Sequence, residues 1–137
     1  MRYLCLVYHE EQKLDALSEA ELATIVSECG AWIGELEKGG HHVFSAGLQS
    51  VRAATTVRKR NGKPSMTDGP FAETKEFLGG FTIITARDLN EALQLVANCP
   101  AWRIGSIEVR PVLEADSAVT DPLDRKLGAA LGAASHP

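Results

Sequence analysis

The sequence predicts an α+β fold: a split βαβ, ferredoxin-like sheet with both helices on one face and a β-hairpin inserted between its halves. Three observations carry that expectation. Two apolar runs each lead into a helix with clear start and stop signals and then into another strand. An Asn-Gly turn marks a hairpin between the two units. The chain has 137 residues, 45% of them apolar, which suits one domain able to bury about two thirds of its unfolded surface.

Residues 2–8, Arg-Tyr-Leu-Cys-Leu-Val-Tyr, are apolar on both alternating sets and rich in aromatic and branched side chains, as a central strand covered on both faces requires. Ser18 with Glu21 makes a capping box and Leu17 with Leu22 a hydrophobic staple, so a helix starts there and runs to Gly39-Gly40. Leu22, Ile25, Val26, Cys29, Ile33 and Leu36 recur at helical spacing and predict one buried stripe, with Trp32 beside it. Residues 43–48 and 54–59 read as short strands, Arg60-Asn61-Gly62-Lys63 as a tight turn and 64–67 as the returning arm. Asp68-Gly69-Pro70 breaks the pattern and residues 79–85 resume it. A second helix starts at Asp88 with Glu91 in support, buries Leu89, Ala92, Leu93 and Val96, and stops at Cys99-Pro100. Residues 104–113 make the last strand.

Beyond Glu114 the composition turns to Asp, Ala, Gly and Ser, and Leu123, Leu127 and Leu131 allow only a marginal helix. The expected organisation is a domain over residues 1–114 and a mobile Ala/Gly-rich tail over 115–137. Helices on one side leave the other face of the sheet in need of cover, so a second protomer is expected on it in two-fold fashion.

Fourteen Lys and Arg against eighteen Asp and Glu give a net charge of −4, so no broad basic field exists to collect nucleic acid or an anionic membrane. The longest apolar run, Tyr3 to Tyr8, is far shorter than the roughly 20 residues of a membrane helix. It is followed by His9-Glu10-Glu11, and not by the small residues of a signal-peptide cleavage site. Cys5, Cys29 and Cys99 form no CxxC pair and sit among apolar neighbours, which fits a reducing cytoplasm. No GxGxxG, P-loop, HExxH or GxSxG word occurs, so neither cofactor nor metal is expected.

The stretch Asp68-Gly69-Pro70-Phe71-Ala72-Glu73-Thr74-Lys75-Glu76 resembles, letter for letter, the signature of the DGPF-type, YCII-related family. Met1 to Tyr8, Gly47-Leu48 before Thr55-Thr56-Val57, and Cys99-Pro100 with Glu108-Val109-Arg110-Pro111 are similar to that family as well, over residues 1–114. The resemblance implies the dimeric α+β barrel, a bacterial cytoplasmic protein and an association with extracytoplasmic-function sigma factors. It implies no particular reaction. Smaller relatives in the wider group pair a helix histidine with an Asp beside a Gly-Pro turn; here Asp68 fits the acid, but residues 18–38 contain no histidine.

Candidate site residues follow. Asp68 is either a turn residue, accepting backbone N–H bonds, or an acid paired with His41 or His42, since a carboxylate-oriented imidazole is the usual general base. His41 and His42 are adjacent, so on a strand only one of them faces a given side. His9, Glu73, Lys75 and Arg52 are the ligand-binding candidates, and Gly79-Gly80 lets another group approach closely. Phe71 and Phe77 are expected to anchor the motif to the core. Two functions stand: a homodimer binding a small molecule and moving a proton on it, as lyases and isomerases do, or a non-catalytic regulatory module that binds protein. For the basic hairpin of Arg58, Lys59, Arg60 and Lys63 a solvated arm is the expectation.

Overall fold

The N-terminal apolar run becomes strand β1 (Arg2–His9), which the computed structural model, describing residues 1–134, pairs on both sides. A short helix α1 (Glu11–Asp15) follows, then α2 (Glu19–Lys38) and strand β2 (His42–Gly47). The hairpin is β3 (Thr55–Arg60) and β4 (Lys63–Asp68). Strand β5 (Phe77–Thr85), helix α3 (Leu89–Val96), strand β6 (Gly105–Pro111) and helix α4 (Pro122–Ala134) complete the order. The sheet runs β2-β5-β1-β6, antiparallel at every step, so the fold is the expected ferredoxin-like α+β sheet with an inserted hairpin.

The local signals act as physical chemistry demands. Ser18 Oγ accepts the Glu21 N–H at 3.1 Å while Glu21 reaches back to the Ser18 N–H, closing the capping box. Asp88 accepts the Glu91 N–H at 2.9 Å and starts α3. At the hairpin tip Asn61 and Gly62 have φ of 49° and 75°, the two left-handed residues of a turn matched to strand twist.

Register assigns the faces. Tyr3 sits opposite Ile84 and Cys5 opposite Thr82, and this side is buried under Leu36, Ala92 and Val96. The Trp32 indole N–H donates to the Leu95 carbonyl at 2.9 Å and ties α2 to α3. The other face carries Leu4, Leu6, Ile83 and Phe81, with Phe44 54% exposed and its ring 6.0 Å from that of Phe81.

Several expectations need correction. The α2 stripe is buried only toward its C-terminal half: Leu36 is buried, whereas Leu22 is exposed and Val26 is 63% exposed, because the core lies under the last turns alone. In α3 Ala92 and Val96 are buried, but Leu89 and Leu93 face out. Phe71 does not anchor the motif in the core; it is 73% exposed, beneath the Arg58 guanidinium at 4.9 Å. Residues 122–134 of the tail are helical, and residues 135–137 of the tail lie outside the described residues. Among the described residues no helix is long and apolar enough to cross a membrane.

Candidate functional site

Strand β1 ends at His9, which stands opposite Phe77 on β5 and Gly105 on β6. Val7 faces Gly80 but Tyr8 faces Leu78, so Gly79 is the extra residue of a β-bulge, with its carbonyl turned to accept the Leu48 N–H at 2.9 Å. The bulge makes room for an imidazole. A Cβ built at Gly79 would come within 1.8 Å of His9 Cε1 and 2.4 Å of Nδ1, so the edge of the ring occupies the space that a side chain here would need. Neither ring nitrogen of His9 is hydrogen-bonded among the described residues, and the ring lines an open cleft.

After His9 the chain turns into α1 and places Glu11 against the short 3-10 turn Val51–Ala53. Glu11 accepts the Ser50 hydroxyl at 2.5 Å and the Val51 N–H at 2.9 Å. The Ser50 hydroxyl, then the Val51 N–H, hold its carboxyl below the usual glutamate range; the charges of Arg52 and His9 add to this, and desolvation partly opposes it. Glu10, beside it, is largely shielded and takes Lys75 Nζ at 3.4 Å and Lys13 Nζ at 3.7 Å.

These groups border a cleft of about 920 Å³, lined among others by His9, Glu11, Leu48, Arg52, Lys75 and Phe77. A second cleft, of about 500 Å³, lies across Glu10, Thr74 and Lys75, which border both. Tyr8, Glu76, Ser106 and Glu108 line it, and the Ser106 hydroxyl donates to Glu76 at 3.3 Å. The arrangement offers an imidazole with free nitrogens, two cations at the rim and an apolar wall. That set can hold an anionic oxygen and move a proton near it. Among the described residues no three His, Cys, Asp or Glu side chains converge as metal ligands do.

Three of the sequence candidates, His9, Arg52 and Lys75, are thus brought into one cleft. Glu73 is exposed and outside the lining, while its neighbour Thr74 is part of it. The structure does not join Asp68 to a histidine. Asp68 ends β4 opposite Thr55, exposed, and its carboxylate makes no hydrogen bond or ion pair among the described residues. Nor does the carboxylate hold the turn, because Gly69 at φ 104° turns the chain itself, its N–H bonded to the Ala54 carbonyl at 2.7 Å. His41 Nδ1 lies 2.8 Å from the Thr85 carbonyl, and His42 Nε2 lies 2.9 Å from Ser45 Oγ, which itself donates to Thr82 at 3.0 Å. In the sequence Glu11 stands out only within the His9-Glu10-Glu11 run at the end of the first strand, whose spacing does not suit a metal, and Ser50 does not stand out at all. The usable signal was Gly79-Gly80: the group that approaches the glycine is His9, seventy residues away in the chain and adjacent in the sheet.

Comparison with known proteins supplies the remaining findings. The YCII-related domain family matches residues 1–116. An uncharacterized protein of Rhizobium meliloti (strain 1021) is 35% identical over 114 residues, covering 82% of this chain and 92% of that one. Among solved structures, 5-chloro-2-hydroxyhydroquinone dehydrochlorinase (TftG) from Burkholderia phenoliruptrix AC1100, in complex with 2,5-dihydroxybenzoquinone, is similar in fold with a TM-score of 0.50 at 14% identity. The match covers 83% of this chain and 95% of that one.

Proposed function

Because this chain belongs to the YCII-related domain family, we propose that it binds a small organic molecule in the His9 cleft and transfers a proton on it, in lyase- or isomerase-like chemistry. The observation that carries the reading is the His9 imidazole, packed against Gly79 on the wall of the cleft with neither nitrogen hydrogen-bonded among the described residues. Arg52 and Lys75 would hold an oxygen of the substrate and offset negative charge that develops there as His9 takes the proton from an adjacent carbon. Glu11, locked by Ser50 and Val51, keeps a carboxylate in a fixed place beside the ring. Every lining residue of both clefts falls within residues 1–114, the unit that we take as the domain.

Assignment to the DGPF-type branch rests on Asp68 to Glu76. A homodimer of the α+β barrel type rests on the open sheet face with Phe44 exposed, and a cytoplasmic setting on three unpaired cysteines. A second reading, a non-catalytic protein-binding module, draws on the uncovered apolar face of the β3–β4 hairpin and requires no bound small molecule.

The quinone named with the structural neighbour is a convenient probe, because its two ring C–H groups exchange with solvent through proton transfer. In D2O, the protein should speed loss of the ring C–H signal of 2,5-dihydroxybenzoquinone, and His9→Gln should lower that acceleration by about 100-fold or more. Equal acceleration by wild type and His9→Gln would remove the imidazole from the chemistry. Neither binding nor acceleration would favour the second reading.

A further inference from the structure

The hairpin forms a two-stranded sheet of its own, with no ladder to the four-stranded one. Its two faces are used differently. On one, Thr56 donates to the Gly69 carbonyl at 2.8 Å and Arg58 lies over Phe71, so this side is turned to the chain's own Gly69–Phe71 turn. The opposite face holds Thr55, Val57 and Lys59 on β3 and Asp68, Met66 and Pro64 on β4, as the register fixes. All six are exposed. Val57 is 60% exposed and Met66 73%, although they form a cross-strand pair of the sort that sheets bury.

The charges on this face have a pattern. Residues 52–68 hold five of the fourteen Lys and Arg and one of the eighteen Asp and Glu, yet on this face the only charged side chains are Lys59 and Asp68. They occupy opposite corners, Asp68 across from Thr55 and Lys59 across from Pro64, about 13 Å apart along the strands, with Val57 and Met66 between them. A face that reads negative, apolar, positive along its diagonal is complementary to itself. Turning a second copy about a two-fold axis through the Val57–Met66 pair, across that diagonal, lays each Asp68 on a Lys59 and apolar on apolar.

We propose that this hairpin face is a contact surface for a second copy of this chain, with Asp68 paired to Lys59 of the second copy at both ends and Val57 and Met66 packed between. The partner is a second copy because a two-fold needs the attractive and the opposing charge on one chain, and this face carries one of each. The contact is separate from the open sheet face and from the His9 cleft, and it gives the Asp68 carboxylate, which has no partner among the described residues, a partner on the second copy. A hairpin face alone is smaller than a stable interface, so it adds to a larger contact and sets its register.

Charge reversal tests the pairing. Asp68→Lys sets Lys on Lys at both ends and Lys59→Asp sets Asp on Asp; each should weaken self-association about tenfold in sedimentation equilibrium at low salt. The double variant Asp68→Lys/Lys59→Asp should recover wild-type association. An equimolar mixture of the two single variants should form mixed assemblies more readily than either forms its own. A Met66→Asp variant should dissociate whatever the charges, with an unchanged circular dichroism spectrum showing that the fold is kept. A monomeric wild type, singles that associate like wild type, or a double variant and mixture without recovery overturns the proposal.

Discussion

Replacing Gly79 by Ala separates a glycine required by the backbone from one required by its neighbour. The φ of Gly79 is outside the left-handed region, so an Ala residue can adopt the backbone without strain. Stiffening the unfolded chain would even stabilise the protein by about 0.4–1 kcal/mol. Against this stands the ring of His9: the new methyl would lie 1.8 Å from Cε1 and 2.4 Å from Nδ1, closer than any real contact allows. Overpacking a closed core typically costs about 1–3 kcal/mol. Here the ring borders an open cleft and can swing outward, so the cost should be that of a displaced rotamer, about 0.5–1.5 kcal/mol. The two effects nearly cancel, leaving Gly79→Ala within about 1 kcal/mol of wild type, a shift of no more than about 4 °C in Tm. In a His9→Ala background the clash vanishes and the same change should stabilise, giving a coupling of about 1 kcal/mol between the two sites. Urea denaturation of the four proteins measures this, and the His9 ring signals in NMR should move in Gly79→Ala. A loss above about 3 kcal/mol that persists in the His9→Ala background would refute the reasoning, because the glycine would then serve the bulge itself.

Three other changes have defined outcomes. The Glu11 carboxyl titrates lower in the folded protein than in the unfolded chain, so its stabilisation is present above about pH 4.3 and is lost as pH falls through the folded value; the urea-midpoint gap between wild type and Glu11→Gln should be widest at neutral pH and close in acid, and a constant gap would contradict it. Burial, and then the neighbouring Cys99 thiol, push Cys5 up to about 11, and burial raises Cys99 too, so iodoacetamide at about pH 8 should leave both unmodified until urea unfolds the chain. Mass spectra showing either labelled in native buffer count against this packing. Trp32→Phe removes the indole N–H that reaches the Leu95 carbonyl and should cost about 1 kcal/mol in the denaturation midpoint, whereas an unchanged midpoint means that the bond between α2 and α3 adds nothing.

What the sequence reveals of this molecule depends on the range of the interaction. Ser18 with Glu21, Asp88 with Glu91 and Asn61-Gly62 are satisfied within a few residues, and each is found where it was expected. The antiparallel ferredoxin-like order also follows, since it needs only the sequence of elements. Burial within a helix does not follow from periodicity. Val26 and Leu93 share the spacing of buried residues and are exposed, because how far a helix overlaps the sheet is set by the whole assembly. The cleft was half legible. His9, Arg52 and Lys75 are recognisable in the sequence as residue types, but Glu11 is held at the cleft only by a turn forty residues on, and α1, five residues long, has too little periodicity to announce itself.

The nine-residue word from Asp68 to Glu76 divides in the fold, and the division explains why a turn alone does not require it. Its first four residues belong to the hairpin: Asp68 at a corner of the exposed face, Gly69 supplying the turn, and Phe71 beneath Arg58. Its last three belong to the clefts, where Thr74 and Lys75 border both cavities and Glu76 takes the Ser106 hydroxyl. The segment between carries no regular structure and leads directly into β5, whose Gly79 bulge seats His9. A hairpin held by a second copy would therefore fix the near end of the strip that carries Lys75, and ordering that strip in advance would spare the loss of freedom that binding otherwise demands. On this argument Asp68→Lys should weaken binding of 2,5-dihydroxybenzoquinone only as far as it weakens self-association, and the double variant Asp68→Lys/Lys59→Asp should restore both. If titration calorimetry shows binding lost in Asp68→Lys and still absent in the reassociated double variant, Asp68 acts on the ligand directly and the strip is not the link.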